Sequence, residues 1–317
     1  MAESLTPAAL HKPALIHNPR SHQNLQRALT IPPELLAATP ADHEQLRATL
    51  ADFAQQGVDL LIVSGGDGTL REILGLLPST FGERVPAFAL IAAGNSNSVA
   101  IDVGATAPGP RALQAILDAV RSGRWSREVR RPPLAVCWPD GSRDTVYGFF
   151  MGAAALTRAT QYEHENVHAG GRLSVVFTLM ATFAQCLRGD SDWLHGNWMS
   201  LGVDGDAPVE GKRFLFVATS LHRIMLRLWP FWDDAAGPFR YVEIDAHPPR
   251  LGSALLPLLF GKPTQWMRRS GAYRSRNASR LSLRLDSPLI IDGEAFAPDS
   301  NGRVEVDTAA PIRFLSP

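Results

Sequence analysis

The run Leu60-Leu61-Ile62-Val63-Ser64-Gly65-Gly66-Asp67-Gly68-Thr69 constrains this chain more than any other. An uninterrupted apolar stretch ends abruptly in three glycines, a carboxylate and a hydroxyl. The apolar part reads as a buried strand, and Thr69-Leu70-Arg71-Glu72-Ile73-Leu74 reads as the first turns of a helix. A strand, glycine loop and helix in that order have a physical use. Glycines let a ligand approach the main chain, and a helix N-terminus offers unpaired N–H groups and partial positive charge to an anion. A phosphate suits such a cradle. Asp67 does not, unless it holds a bridging cation, a ribose hydroxyl or loop amides; alternatively it caps the helix together with Thr69.

The 317 residues allow two domains of ordinary size. Lys plus Arg and Asp plus Glu balance at 31 each, which removes any bulk electrostatic case for nucleic acid or an anionic membrane. The opening Met1-Ala2-Glu3-Ser4-Leu5-Thr6-Pro7 lacks the basic head and apolar core of a secretory signal. Leu173 to Leu187 and Leu251 to Phe260 are shorter than the ~20 residues of a spanning helix. Cys137 and Cys186 have no partner spacing and read as buried, reduced thiols. A cytoplasmic protein, with peripheral membrane contact left open, is the expectation.

Along the chain, Ala14 to His17 is a strand stopped by Asn18-Pro19, and Leu35 to Thr39 is a second strand. Thr39-Pro40-Ala41-Asp42 predicts an N-cap at Thr39 for a helix running through Gln56, with Gly57 as its stop. After the glycine loop and its helix come a strand over Ala87 to Ala93 and an amphipathic helix over Pro110 to Arg124. This alternation predicts an α/β domain with a doubly wound parallel sheet, whose strand-end loops collect the ligand. Past Arg130-Arg131-Pro132-Pro133 the pattern changes to short β-rich runs: Leu134 to Trp138, Thr145 to Met151, Phe214 to Thr219, Phe239 to Ile244, Ser282 to Leu285 and Leu289 to Ile291. One helical stretch, Leu173 to Leu187, interrupts them. The predicted organisation is residues 1–130 as a nucleotide-binding α/β domain and 131–317 as a mainly antiparallel β domain.

Asn18-Pro19 after a first strand, Thr39 before a helix, Gly65-Gly66-Asp67-Gly68-Thr69 with Glu72, Gly94-x-x-Asn97 and the late Asp292-Gly293-Glu294 resemble the diacylglycerol kinase catalytic-domain family. That family includes bacterial lipid kinases and sphingosine kinases. The glycine motif also occurs in NAD kinases and phosphofructokinases, so the combination with Asp-Gly-Glu is the specific part. The resemblance implies a phosphofructokinase- and NAD-kinase-like first domain, a C-terminal β-sandwich and an active site in the cleft between them. It implies Mg²⁺-dependent transfer of the ATP γ-phosphoryl group to a diacylglycerol-like lipid alcohol. Carried over by residue, Asn18, Thr39, Gly65, Gly66, Asp67, Gly68, Thr69, Arg71, Glu72, Gly94 and Asn97 would bind ATP. Glu294 would accept the lipid hydroxyl's proton, with Asp292 and Asp67 in the catalytic set and Asp234 as a metal ligand. Asp292 and Glu294 also admit reading as an exposed acidic turn. Oligomeric state, a homodimer included, stays open.

Departures from the family pattern are specific. Gly94-Asn95-Ser96-Asn97-Ser98 stands where Gly-Thr-Gly-Asn-Asp is usual, Arg71 replaces an Asn, Arg20 is inserted, and Thr157-Arg158 occupies the place of a second-domain acid. Arg71 could contact phosphate directly. These changes support a second expectation, a lipid- or nucleotide-binding regulator that has lost the chemistry; NAD kinase is a third. His164 and His168 could form a metal pair, or a solvated polar face. Met225 to Trp232 and Leu251 to Phe260 read as packing surfaces, or as a lipid slot or membrane-docking face.

Overall fold

The computed structural model describes residues 11–26, 29–105, 107, 109–158, 194–224, 228–233 and 236–317. Asp234, His164, His168, Cys186, Leu173 to Leu187 and Met225 to Arg227 lie outside these. The chain divides into two compact units, Met1–Arg131 with Pro311–Pro317, and Pro132–Ala310. The sequence reading had assigned the last residues to the second domain.

The first unit runs β1 (Pro13–His17), α1 (His22–Gln26), β2 (Leu36–Ala38), α2 (His43–Gln55), β3 (Leu60–Gly65), α3 (Asp67–Thr80), β4 (Ala87–Ala92), α4 (Ser98–Val103), α5 (Gly109–Ser122) and β5 (Arg127–Arg131). Its sheet has the order β2-β1-β3-β4-β17-β5, where β17 (Ile312–Ser316) is the chain's last strand. β1 to β4 are parallel. β17 is parallel to β4 but antiparallel to β5, so the sheet is mixed at this edge. Leu60 and Ile62 pack with Leu113, Ile116 and Val120 of α5. Leu61 and Val63 alternate to the opposite face and are equally buried, as a strand covered on both sides requires. The N-cap of α2 is Asp42, whose side chain accepts from Gln45 N, and not Thr39 three residues earlier.

Among its described residues the second unit holds eleven antiparallel strands: β6 (Leu134–Cys137), β7 (Val146–Gly148), β8 (Phe150–Ala154), β9 (Asn197–Val203), β10 (Val209–Thr219), β11 (Phe239–Asp245), β12 (Tyr273–Ala278), β13 (Leu281–Leu285), β14 (Leu289–Ile291), β15 (Glu294–Phe296) and β16 (Arg303–Thr308). The expected single strand over Thr145 to Met151 is therefore two, broken at Phe149. β10 is the hinge of the sheet. Its first half pairs with β9, its second half with β8 and β11, and the register shifts between Arg213 and Leu215. Such an irregularity lets one strand serve two layers. Met151, Phe216, Tyr241 and Ile291 of one layer meet Val136, Leu201, Leu283 and Val304 of the other in a single core, giving the sandwich the resemblance implied. Two helices, α6 (Leu251–Leu259) and α7 (Gln265–Ser270), cover the outer face of β10–β12 through Ala254, Leu258 and Met267. Cys137 is half-buried, with its Sγ 3.3 Å from Thr145 Oγ1.

Candidate functional site

The glycine loop is held from two sides. From the β1 side, Asn18 Nδ2 donates to Thr69 Oγ1 at 2.9 Å and Asn18 N donates to Ser64 O. From the β4 side, a Cβ on Gly66 would lie 2.9 Å from Gly94 Cα, and one on Gly94 only 2.6 Å from Gly66 Cα. The two loops touch backbone to backbone, a contact only glycine permits. Gly65 meets the same limit against Thr69, where an added Cβ would come within 2.7 Å.

Asp67 has a different task from either a phosphate ligand or a cap for its own helix. The N-cap of α3 is Gly66, and no side chain caps it. The Asp67 carboxylate instead accepts from Ser96 Oγ (2.9 Å), Ser98 N (2.8 Å) and Val99 N (3.2 Å). It thus caps the start of α4 from another loop, the loop-amide role among those weighed above. Desolvation pushes its carboxyl above the usual range, opposed by these same hydrogen bonds, which favour the ionised form. Asn97 is also consumed by structure. It sits at φ 51, ψ 40, a left-handed conformation that Asn tolerates, and its side chain accepts from Gly94 N and donates to Gly94 O, both at 2.8 Å.

In front of this scaffold lies a pocket of roughly 440 Å³, within the ~300–1,000 Å³ range of small-molecule sites. It opens at the carboxyl ends of β1, β2 and β3, as parallel sheets dictate. Of the predicted residues it gathers Asn18, Gly66, Gly68, Thr69, Arg71 and Glu72. Gly65, Asp67 and Asn97 instead border a void of about 10 Å³ behind the loop, too small for a ligand. Gly94 supports Gly66 and Asn97. Thr39 is exposed and does not line the pocket, although its neighbour Pro40 does. The sequence reading missed His17, Arg20, Ser21, Asp42 and His43 as pocket residues. Their signal was positional: His17, Arg20 and Ser21 end or follow β1, whose neighbour β3 carries the glycine loop, and Asp42 and His43 follow β2, one strand further out.

The pocket's charges are organised around Glu72. Arg71 Nη2 donates to Glu72 Oε1 at 3.0 Å, and His43 Nδ1 lies 3.0 Å from Glu72 Oε2. Arg71 is only 6% exposed. Burial alone would raise the Glu72 carboxyl; the hydrogen bonds from Arg71 and His43 outweigh it and hold the group below its ordinary 4.5. A carboxyl lowered in the folded state stabilises fully above its unfolded pKa, and that contribution is lost as pH falls through the lowered value. Glu72→Gln is therefore expected to reduce the thermal midpoint near neutrality and to converge on the parent as the pH falls through the lowered Glu72 value. Melting curves across that range check this, and two parallel curves would remove Glu72 from the acid response. Burial lowers the His17 imidazole as well, which keeps it neutral beside the pocket.

In the second unit, Asp292 and Gly293 are the two residues of the β14–β15 turn, with Ile291 paired to Glu294. Both have positive φ, 44° and 88°. That matches a type I′ turn, for which Asp-Gly is a preferred pair. The Asp292 carboxylate accepts from Phe149 N at 3.0 Å and from Phe150 N at 3.0 Å, at the break between β7 and β8. Gly148 makes room for it, because a Cβ there would lie 2.8 Å from Asp292 Oδ2. Asp292 therefore positions the turn, and Glu294 stands exposed on its far side. Among the described residues no three His, Cys, Asp or Glu side chains form a metal-binding group.

Residues 13–124 match the family model of the diacylglycerol kinase catalytic domain, which bears out the resemblance drawn from the motifs. The fold is shared with solved structures from Bacillus anthracis str. Sterne. One, named as a candidate diacylglycerol kinase, superimposes with a TM-score of 0.64 at 16% identity over 97% of each chain. Another, named as a diacylglycerol kinase, gives 0.61 at 14% identity over 97% of each chain. No curated protein matches the chain significantly.

Proposed function

We propose that the pocket of the first unit binds ATP and that the chain transfers the γ-phosphoryl group to the hydroxyl of a diacylglycerol-like lipid. The observation that carries this reading is the start of α3, which no side chain caps, lining a ligand-sized pocket within the segment that matches the kinase domain. The free N–H groups of that helix end would receive phosphate oxygens. Arg71 and Arg20 also line the pocket and add fixed positive charge, while Asn18 orients the Thr69 hydroxyl. Ile16, Pro40 and Leu46 offer an apolar wall for the nucleoside.

Phosphoryl transfer needs mainly positioning and charge neutralisation. In this reading the lipid oxygen bonds to the γ-phosphorus, the bond to ADP breaks, and Glu294 takes the hydroxyl proton. The names of the similar solved structures support a lipid acceptor. Magnesium enters as the counter-ion of ATP. Asp67 does not suit it as a ligand, because both carboxylate oxygens are already engaged.

That same engagement of Asp67 favours one competing reading, a nucleotide- or lipid-binding regulator. Incubating the purified chain with γ-labelled ATP, Mg²⁺ and mixed micelles of lipid extract separates the two. Label in a lipid product is the expected result. ATP bound with no product would make the regulator the better reading, and labelled NAD in a parallel tube would point to NAD kinase.

A further inference from the structure

Residues 246–272 of the second unit contain Arg250, Lys262, Arg268 and Arg269 and not one Asp or Glu. All four cations are exposed, and among the described residues none pairs with a carboxylate. The nearest acids in sequence are already spent: Asp245 is paired with Arg274 and Arg213, and Glu243 with the same two arginines. A chain of zero formal charge thus carries a local positive face.

The apolar surface of the same segment is turned outward. Along α6, Ala254 and Leu258 point into the core, while Leu256 is 66% and Phe260 50% exposed. These two are four residues apart and share one helix face. Half-buried tryptophans border them. Trp229 N donates to Leu259 O, and Gly261, at φ 61, leaves no room for a Cβ beside the carbonyls of Trp229 and Phe231. Trp266 lies under the Arg250 guanidinium, 5.7 Å away. Exposed aliphatic and aromatic groups in one segment with cations that no carboxylate pairs, and with half-buried amphipathic tryptophans packed against it, match the chemistry of a bilayer interface with anionic headgroups.

We infer that α6, α7 and the Trp229 segment form a docking face for an anionic lipid surface, into which Leu256 and Phe260 insert while Arg250, Lys262, Arg268 and Arg269 meet the headgroups. This deepens the lipid-kinase reading by naming where the chain meets its substrate's phase, and its deciding readout, vesicle binding, needs neither nucleotide nor turnover.

The full chain is sedimented with vesicles of phosphatidylglycerol and phosphatidylcholine, and with phosphatidylcholine alone. Binding to the anionic vesicles that weakens with salt is expected. Arg268→Gln/Arg269→Gln should lower it about 25-fold, roughly fivefold per cation. Leu256→Ser/Phe260→Ser should remove the binding that survives high salt. All four positions are exposed, so melting temperature and ATP binding should match the parent. Failure to bind the anionic vesicles, or equal binding by the parent and both variants, would overturn the assignment. So would self-association of the parent that Leu256→Ser/Phe260→Ser abolishes, which would give the face to a second copy of the chain. Loss of lipid phosphorylation with vesicle binding intact would count against the kinase reading alone.

Discussion

Replacing Glu294 with Gln is expected to lower turnover on a lipid alcohol by about 10²–10⁴-fold, the usual contribution of a general base, while leaving the melting temperature unchanged. Glu294 is exposed at the start of β15, so an uncharged side chain of the same size is accommodated there without burying a new polar group. Asp292, two residues away, should behave in the opposite manner. Asp292→Ala deprives the backbone N–H groups of Phe149 and Phe150 of their acceptor and removes a residue suited to positive φ. Unsatisfied partly buried donors cost about 1–3 kcal/mol each, so this variant should melt early and lose activity through the fold. Asp292→Asn, which keeps one acceptor oxygen and tolerates the left-handed backbone, should restore most of the stability. Turnover at saturating ATP, measured beside thermal melts of the three variants, separates the roles. A full rate in Glu294→Gln would remove that residue from the chemistry, and a stable, inactive Asp292→Ala would mean that Asp292 acts on substrate directly.

The two carboxylates show what a sequence can and cannot disclose. Asp292-Gly293 flanked by apolar residues is a hairpin signal, and the turn was legible. That the Asp292 carboxylate is consumed by Phe149 and Phe150, some 140 positions earlier, depends on strand pairing that no local pattern encodes. In the first unit the parallel strands were readable because burial on both faces writes continuous apolar runs such as Leu60 to Val63. β5 was not, because Arg127-Glu128-Val129-Arg130-Arg131 carries four charges; its inward Arg131 is tolerated only because Asp102 pairs with it at 2.6 Å. β17 contributes to a sheet whose other members end near residue 131, so its membership is a matter of topology. By contrast, Arg303-Val304-Glu305-Val306-Asp307 alternates strictly, a local strand signal that the sequence reading passed over among the β-rich runs.

The same division between scaffold and surface runs through the glycine loop, and two alanine substitutions expose it. Gly94→Ala places a Cβ 2.6 Å from Gly66 Cα and 3.2 Å from Asn97 Oδ1. Neither neighbour can yield, because one is backbone and the other is fixed to Gly94 by two hydrogen bonds. The loops must part, at an expected loss of about 1–3 kcal/mol and with it the alignment of the α3 N-terminus. Gly68→Ala should do the reverse. Gly68 lies in the first turn of α3, where an added Cβ would meet nothing within 4 Å, and Ala is favoured over Gly in a helix by roughly 0.5–1 kcal/mol. Yet Gly68 lines the pocket, so the methyl group stands where phosphate would approach. Gly68→Ala is therefore expected to melt slightly higher than the parent and to bind ATP about tenfold more weakly, whereas Gly94→Ala melts lower and binds poorly for that reason. Calorimetric ATP titration with parallel melts tests both. Unchanged ATP affinity in the stable Gly68→Ala chain would show that the nucleotide does not lie against this loop, and the pocket would lose its assignment.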